Sequence, residues 1–242
     1  MEERNIISYG GGQNSTAMII LMIEKKVKID EIIFSDTGNE MPKTYEFLKV
    51  FEQFCKKNKI NFTTVKSHLG SVREYYFENN IIPYRMFRSC SDKFKVRVIN
   101  KYLKEKYGKD VIINMFIGIG SDEKHRAKIV DKKNIKYFYP LIEYDIDREK
   151  CIEIIKKEFK IIPVKSGCYF CPFQPKSEWS KLLKESPELY DLSIEFEKNG
   201  RAYPEGSFIG NMTLEDFKKA LKEQTKLFPE DCKLIKCVWC HT

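Results

Sequence analysis

The sequence predicts an α/β fold: a mostly parallel sheet with helices on both faces, followed by a cysteine-rich, mainly helical C-terminal part. Three observations predict it. Short apolar runs alternate with amphipathic stretches from the start of the chain to about residue 117, the pattern of repeated strand–helix units. The first apolar run ends in three consecutive glycines and leads straight into an apolar helix, so strand, loop and helix N-terminus share one junction. From about Tyr137 the alternation stops, and cysteines among aromatic residues take over. The expected division is therefore an α/β sheet domain over residues 1–160 and a cysteine-rich region over 161–242 packed on it.

Each element has its own signal. Ile6-Ile7 reads as the end of a buried strand, and Gly10-Gly11-Gly12 as a backbone that turns sharply and nears a ligand without Cβ clashes. Ser15 and Thr16 open an apolar run over residues 17–23, long enough for a helix. Loop N–H groups and the helix dipole, worth about half a positive charge, make this junction an anion site. Glu31-Ile32-Ile33-Phe34-Ser35 is the second strand, and Pro42–Lys57 an amphipathic helix with Tyr45, Leu48, Phe51 and Phe54 on one side. Residues 61–65 form a third strand, 72–77 and 92–107 helices, and 111–117 a long buried strand. Tyr139-Pro140-Leu141-Ile142-Glu143 leads into a helix over 147–159 in which Cys151, like Cys55 before it, is a small core residue. In such a sheet ligands sit beyond the C-terminal strand ends. Asp36-Thr37-Gly38 and the stretch from Gly118 to Arg126 follow two of those ends and so face the glycine loop.

Composition bounds the class. Hydrophobic content of 42% with 17 Phe and 13 Tyr in 242 residues supports a real core, and 32% charge is a solvated surface. No apolar run reaches the roughly 18 residues of a membrane span, and Met-Glu-Glu-Arg is no signal peptide; the expectation is a cytoplasmic protein with no membrane partner. A net charge of +8 admits a polyanion, but lysines spread along every helix give the same balance by composition alone. Eight cysteines in such a chain point to metal or redox chemistry more than to a disulfide framework.

Two common glycine loops are excluded. A P-loop has lysine before its Ser/Thr, where this chain has Gln13-Asn14. The dinucleotide fingerprint has a third glycine where Ser15 stands. Gly10-Gly11-Gly12-Gln13-Asn14-Ser15 instead resembles the Ser-Gly-Gly-x-Asp-Ser loop of the PP-loop ATP pyrophosphatases, which include the phosphoadenosine-phosphosulfate (PAPS) reductases. It departs from that pattern at Gly10 and Asn14. Asp36-Thr37-Gly38 with Pro42-Lys43-Thr44-Tyr45 resembles the second signature of PAPS reductase-like proteins. Arg88-Ser89-Cys90, the Asp122-Glu123-x-x-Arg126 crevice, Tyr139-Pro140-Leu141-Ile142-Glu143 and Ser166-Gly167-Cys168-x-Phe170-Cys171-Pro172 follow in family order. The chain is similar to the PAPS reductase-like proteins of phages, mobile elements and CRISPR-associated loci.

That resemblance implies a Rossmann-like, adenine nucleotide alpha hydrolase-like fold binding ATP or PAPS/adenylyl-sulfate with Mg²⁺. It places Ser8, Gly10, Gly11, Gly12, Gln13, Ser15, Thr16, Asp36, Thr37, Gly38, Lys93 and Arg126 around the nucleotide. Asn14, Ser15, Asp36, Asp122 and Arg126 would serve the chemistry. Three readings follow. In the first, ATP adenylylates a substrate oxygen that sulfur then displaces, with a [4Fe-4S] cluster on Cys90, Cys168 and Cys171. In the second, an adenylyl-sulfate is reduced by a tail thiol, although Val238-Trp239-Cys240-His241-Thr242 lacks the Glu and Gly of the reductase tail. In the third, a nucleotide- or nucleic-acid-binding module carries structural Zn²⁺ on Cys168, Cys171, Cys237 and Cys240, with Cys232 nearby. The partners these readings allow are tRNA or DNA, a sulfide donor or thioredoxin-like reductant, and a second copy of the chain.

Overall fold

The computed structural model describes residues 2–84, 89–127, 134–200, 207–210 and 212–227. Its strands are β1 (Glu3–Tyr9), β2 (Glu31–Asp36), β3 (Phe62–Lys66), β4 (Ile112–Ile117) and β5 (Ile135–Phe138). They form one sheet in the order β3-β2-β1-β4-β5, every pairing parallel. The chain moves outward from β1 through β2 to β3, then crosses to β4 on the other side of β1. The topological switch therefore lies between β1 and β4, where such sheets open a ligand crevice at the carboxyl ends. β5 was not anticipated: it has four residues and, among the described residues, pairs only with β4.

Alternate strand residues serve opposite faces, as a period of two dictates. Ile7, Tyr9, Ile32 and Phe34 join a core with α1 (Gln13–Glu24), α2 (Pro42–Lys57) and α7 (Arg148–Glu158). Ile6, Ile33, Ile113 and Met115 join Ile99 and Leu103 of α5 (Arg97–Tyr107). α1 buries every residue from Ser15 to Met22, as expected of a helix apolar all round and enclosed by sheet and helix. Cys55 and Cys151 are fully buried core residues, and burial pushes both thiols up to about 12, which keeps them protonated. The buried stripe of α2 is Thr44, Phe47, Phe51 and Cys55. Of the expected stripe only Phe51 is fully buried, stacked on Tyr9 at 4.2 Å and 14°. Tyr45 turns its hydroxyl to Asp36 instead. The helix expected from residue 92 begins with a π-helical turn, Asp92–Val96, after the short α4 (Ser89–Ser91).

Two compact units result. One comprises Met1–Gly70 with Ser91–Gly167 and holds the sheet. The other comprises Ser71–Cys90 with Cys168–Thr242. It holds α3 (Val72–Glu78), α8 (Lys176–Glu185), α9 (Pro187–Asn199) and α10 (Leu214–Leu227). Its core is aromatic: Trp179 stacks on Phe208 at 5.8 Å and meets Tyr190 edge-on at 6.0 Å. The nearly buried Glu197 accepts from Phe208 N (3.0 Å) and Leu214 N (2.7 Å), which pins the entry to α10. No described helix is long and apolar enough to cross a membrane.

Candidate functional site

The glycine loop sits at the carboxyl end of β1, at the switch point. Gly11 has φ +72°, a conformation that side chains disfavour, and its Cβ would lie 2.9 Å from Thr44 Cγ2. Gly12 is the N-cap of α1 and offers no side-chain cap, and the first turn carries no acidic residue. Side-chain caps occur on α3 (Ser71, a capping box) and α7 (Asp147), while α2, α8 and α9 lack one as α1 does. What sets α1 apart is its start at the switch point, directly after the glycine loop. The start of α1 is thus left open where an anion would dock. Its hydroxyls brace the loop from behind. Ser15 Oγ donates to Gly12 O (3.2 Å) and accepts from Gly10 N (3.4 Å). Thr16 Oγ1 donates to Gly12 O (2.9 Å) and also bonds the Tyr9 hydroxyl at 3.0 Å. Ser8, half-buried within β1, stands opposite Ile33 and Ile117.

At the end of β2, Asp36 organises the next loop. Its Oδ1 accepts from Gly38 N and Tyr45 Oη, both at 2.8 Å, and its Oδ2 pairs with Lys66 at 3.3 Å. Burial, then donation to Asp36, pushes the Tyr45 hydroxyl well above its ordinary value, so it remains a donor. Thr37 is buried and its Oγ1 donates to Glu40 Oε1 at 3.2 Å. Glu40 has a fully buried side chain that also accepts from Lys95 Nζ at 2.8 Å. Lys95 lies on the π turn, which Ser35 Oγ holds through Phe94 O at 2.7 Å. Lys93 is half-buried on the same turn. The basic stretch here carries acidic neighbours: Arg97 pairs with Asp92 at 2.6 Å, and Lys101 lies 3.9 Å from Glu105.

The third edge is a 3₁₀ turn, Ser121–Arg126, beyond β4. Glu123 Oε2 accepts from Arg126 Nη1 (2.7 Å) and Asn14 Nδ2 (3.4 Å), which joins that turn to the start of α1. Asp122 is exposed. Two residues here escaped the sequence reading. Arg148, the first residue of α7, donates from Nε to Gln13 Oε1 at 3.1 Å. Ser166 lies against the glycine loop, 2.9 Å by its Oγ from where a Cβ on Gly12 would stand. Arg148 had a faint signal, a basic residue directly after the Asp147 cap; Ser166 had none beyond its place in the cysteine motif.

The candidate metal ligands divide differently. Cys90, Cys168 and Cys171 are half-buried cysteines of the helical unit. Cys171 N donates to Cys168 O at 3.0 Å, which closes the tight turn that lets a Cys-x-x-Cys pair face one metal. Among the described residues no group of three or more His, Cys, Asp or Glu side chains is placed to hold a metal ion. The described donors therefore complete neither a zinc nor an iron–sulfur site. Cys232, Cys237 and Cys240 lie outside the described residues, as does Arg88.

Two uncharacterized proteins of Methanocaldococcus jannaschii are each 27% identical, over 225 and 201 residues, or 85% and 78% of this chain. An uncharacterized nin region protein of Escherichia phage lambda is 26% identical over 198 residues, 69% of this chain and 65% of its own. The chain spans less than half the length of the two archaeal relatives, 43% and 46%. Among solved structures, the phosphate complex of PAPS reductase from Candida auris superposes with a TM-score of 0.46 at 15% identity, covering 68% of this chain and 75% of that one. The U34-tRNA thiolase NcsA from Methanococcus maripaludis, solved with its [4Fe-4S] cluster, gives 0.45 at 18% identity, covering 91% and 81%. The phosphoadenosine phosphosulfate reductase domain model matches residues 4–145, from the first strand to beyond the Arg126 turn, and the chain belongs to that family.

Proposed function

We propose that the chain is an ATP-dependent enzyme that adenylylates a substrate oxygen for displacement by sulfur, with a nucleic acid or nucleotide as acceptor. The observation that carries this is the open N-terminus of α1 beneath Gly10–Gly12 at the β1/β4 switch, in a chain of an enzyme family that handles adenylyl-sulfates. In the adenylylation step the acceptor oxygen bonds to the α-phosphorus, the α–β bridging P–O bond breaks, and pyrophosphate leaves with the electron pair. Loop N–H groups and the α1 dipole would stabilise the charge that builds on pyrophosphate. Arg126 and Arg148, anchored by Glu123 and Gln13, supply positive charge beside the loop. Mg²⁺ arriving with ATP would be held largely by the phosphates.

Calorimetry with ATP and inorganic pyrophosphate tests the reading. Pyrophosphate is expected to compete with ATP, and Gly11→Ala to weaken both roughly tenfold or more, the loss of at least one charge-assisted hydrogen bond. The positive φ of Gly11 and the 2.9 Å approach of Thr44 give alanine no relaxed position there. Equal binding by the variant would remove the loop from the site. For the thiols, we propose Cys168 and Cys171 as two ligands of one metal. Iron and zinc analysis of anaerobically purified protein is expected to show metal in the wild type and its loss in the Cys168→Ala, Cys171→Ala double variant. A brown preparation would mark a cluster and a colourless one zinc; full metal retention by the variant would end the assignment.

A further inference from the structure

We infer that Ser166 is a further ligand of the phosphate chain at the glycine loop, its hydroxyl and N–H closing the loop from a segment far downstream. The inference rests on the reading of that loop as a phosphate site and adds a residue to it. Gly12 has φ −112° and ψ −178°, extended values that any residue adopts. Its conformation therefore does not require glycine; its surroundings do. A Cβ on Gly12 would stand 2.9 Å from Ser166 Oγ, 3.1 Å from Ser166 N and 3.2 Å from Ser166 Cβ. A Cβ on Gly10 would lie 3.4 Å from the same hydroxyl and 4.0 Å from Ser15 Oγ. Ser166 Oγ thus stands where Gly10, Gly12 and Ser15 converge, beside the uncapped start of α1.

The segment is held there on its other side. Met41 N, at the entry to α2, donates to Gly167 O at 3.2 Å. Ser166 is therefore fixed between the loops that follow β1 and β2, both at the carboxyl end of the sheet. It is half-buried, and its N–H and hydroxyl make no hydrogen bond among the described residues. Two unused donors beside an open helix N-terminus match the oxygens of a phosphate.

The test uses the full chain with ATP, inorganic pyrophosphate and adenosine as calorimetric probes. Ser166→Ala removes only Oγ. It is expected to weaken ATP and pyrophosphate by the same factor, roughly tenfold, the scale of one hydrogen bond to a charged group. Adenosine affinity and Tm should stay at wild-type values. Gly12→Ala should act in the same direction by displacing the same hydroxyl, and the two changes together should cost less than their product. Unchanged pyrophosphate binding by Ser166→Ala would overturn the role of Ser166 and leave the loop assignment standing. A parallel loss of Tm and adenosine affinity would reassign Ser166 to packing. If the wild type binds neither ATP nor pyrophosphate, the loop reading fails first and takes this role with it.

Discussion

Gly118→Ala is expected to lower Tm by roughly 6–12 °C and to weaken ATP binding about a hundredfold. Gly118 follows the last residue of β4, and an added Cβ would stand 2.5 Å from Ser15 Cα, 2.6 Å from Ser15 N and 2.9 Å from Asn14 C. All three atoms are backbone, so no rotamer change relieves the contact. Either the end of β4 or the first turn of α1 has to move. Overpacking typically costs about 1–3 kcal/mol, and contact with backbone belongs at the top of that range. At roughly 2–4 °C per kcal/mol for a chain of this size, the shift in Tm follows. The affinity falls for a separate reason: the atoms pushed aside belong to the helix turn whose N–H groups would meet the phosphates. A loss of about one to two charge-assisted hydrogen bonds gives the hundredfold. Gly10 is the contrast, since its Cβ would meet nothing closer than 3.4 Å. Gly10→Ala should melt within about 0.5 kcal/mol of wild type. Wild-type melting by Gly118→Ala would show that the close approach of β4 and α1 is no constraint.

The β1 loop, the Asp-Thr-Gly turn and the strand–helix alternation were legible because each is written in contiguous residues. Three glycines before an apolar run admit few structures, and the alternation leads to a parallel sheet covered on both faces. What escaped was carried by contacts between distant segments. β5 has only four residues, one of them Lys136, and shows itself only through its pairing with β4. The stripe on α2 was legible in part: Phe51 is fully buried, and Leu48 and Phe54 pack against the same core. The small Thr44 and Cys55 join Phe47 on the buried face while Tyr45 turns to Asp36, since burial follows position around the helix rather than side-chain size. Nothing contiguous marks Glu40 as buried; its fully buried carboxylate is met by Lys95, far along the chain. Ser166 read as the approach to a cysteine turn, whereas its position is set by the space that Gly12 leaves.

Glu31 is expected to separate stability from function. It opens β2, at the amino end of the sheet, about 17 Å from Asp36 by strand rise. Its side chain is fully buried and accepts from Thr63, from Tyr102 (2.7 Å), from Lys106 (2.8 Å) and from Tyr107 (2.8 Å). Burial opposes ionisation here, but the hydrogen bonds from Lys106, Thr63, Tyr102 and Tyr107 outweigh it, so the carboxyl is held below its ordinary 4.5. A folded-state value below the unfolded one fixes the sign. The stabilisation is present above about 4.5 and is lost as pH falls through the lower, folded-state value. Glu31→Ala removes the shared acceptor of four donors. Breaking a buried pair costs about 3–5 kcal/mol, and the 40% exposure of Lys106 lets its ammonium rehydrate, which sets the expected loss near 3 kcal/mol. Glu31→Gln keeps the shape without the charge and should flatten the acid limb of the stability curve. Urea midpoints followed downward from neutral pH measure both, and ATP titrations at neutral pH should show wild-type affinity for either variant. An acid limb in Glu31→Gln as steep as in wild type would place the acid sensitivity elsewhere. A fall in ATP affinity would mean that the amino end of β2 reaches the nucleotide loop, against the separation that the six-residue strand imposes.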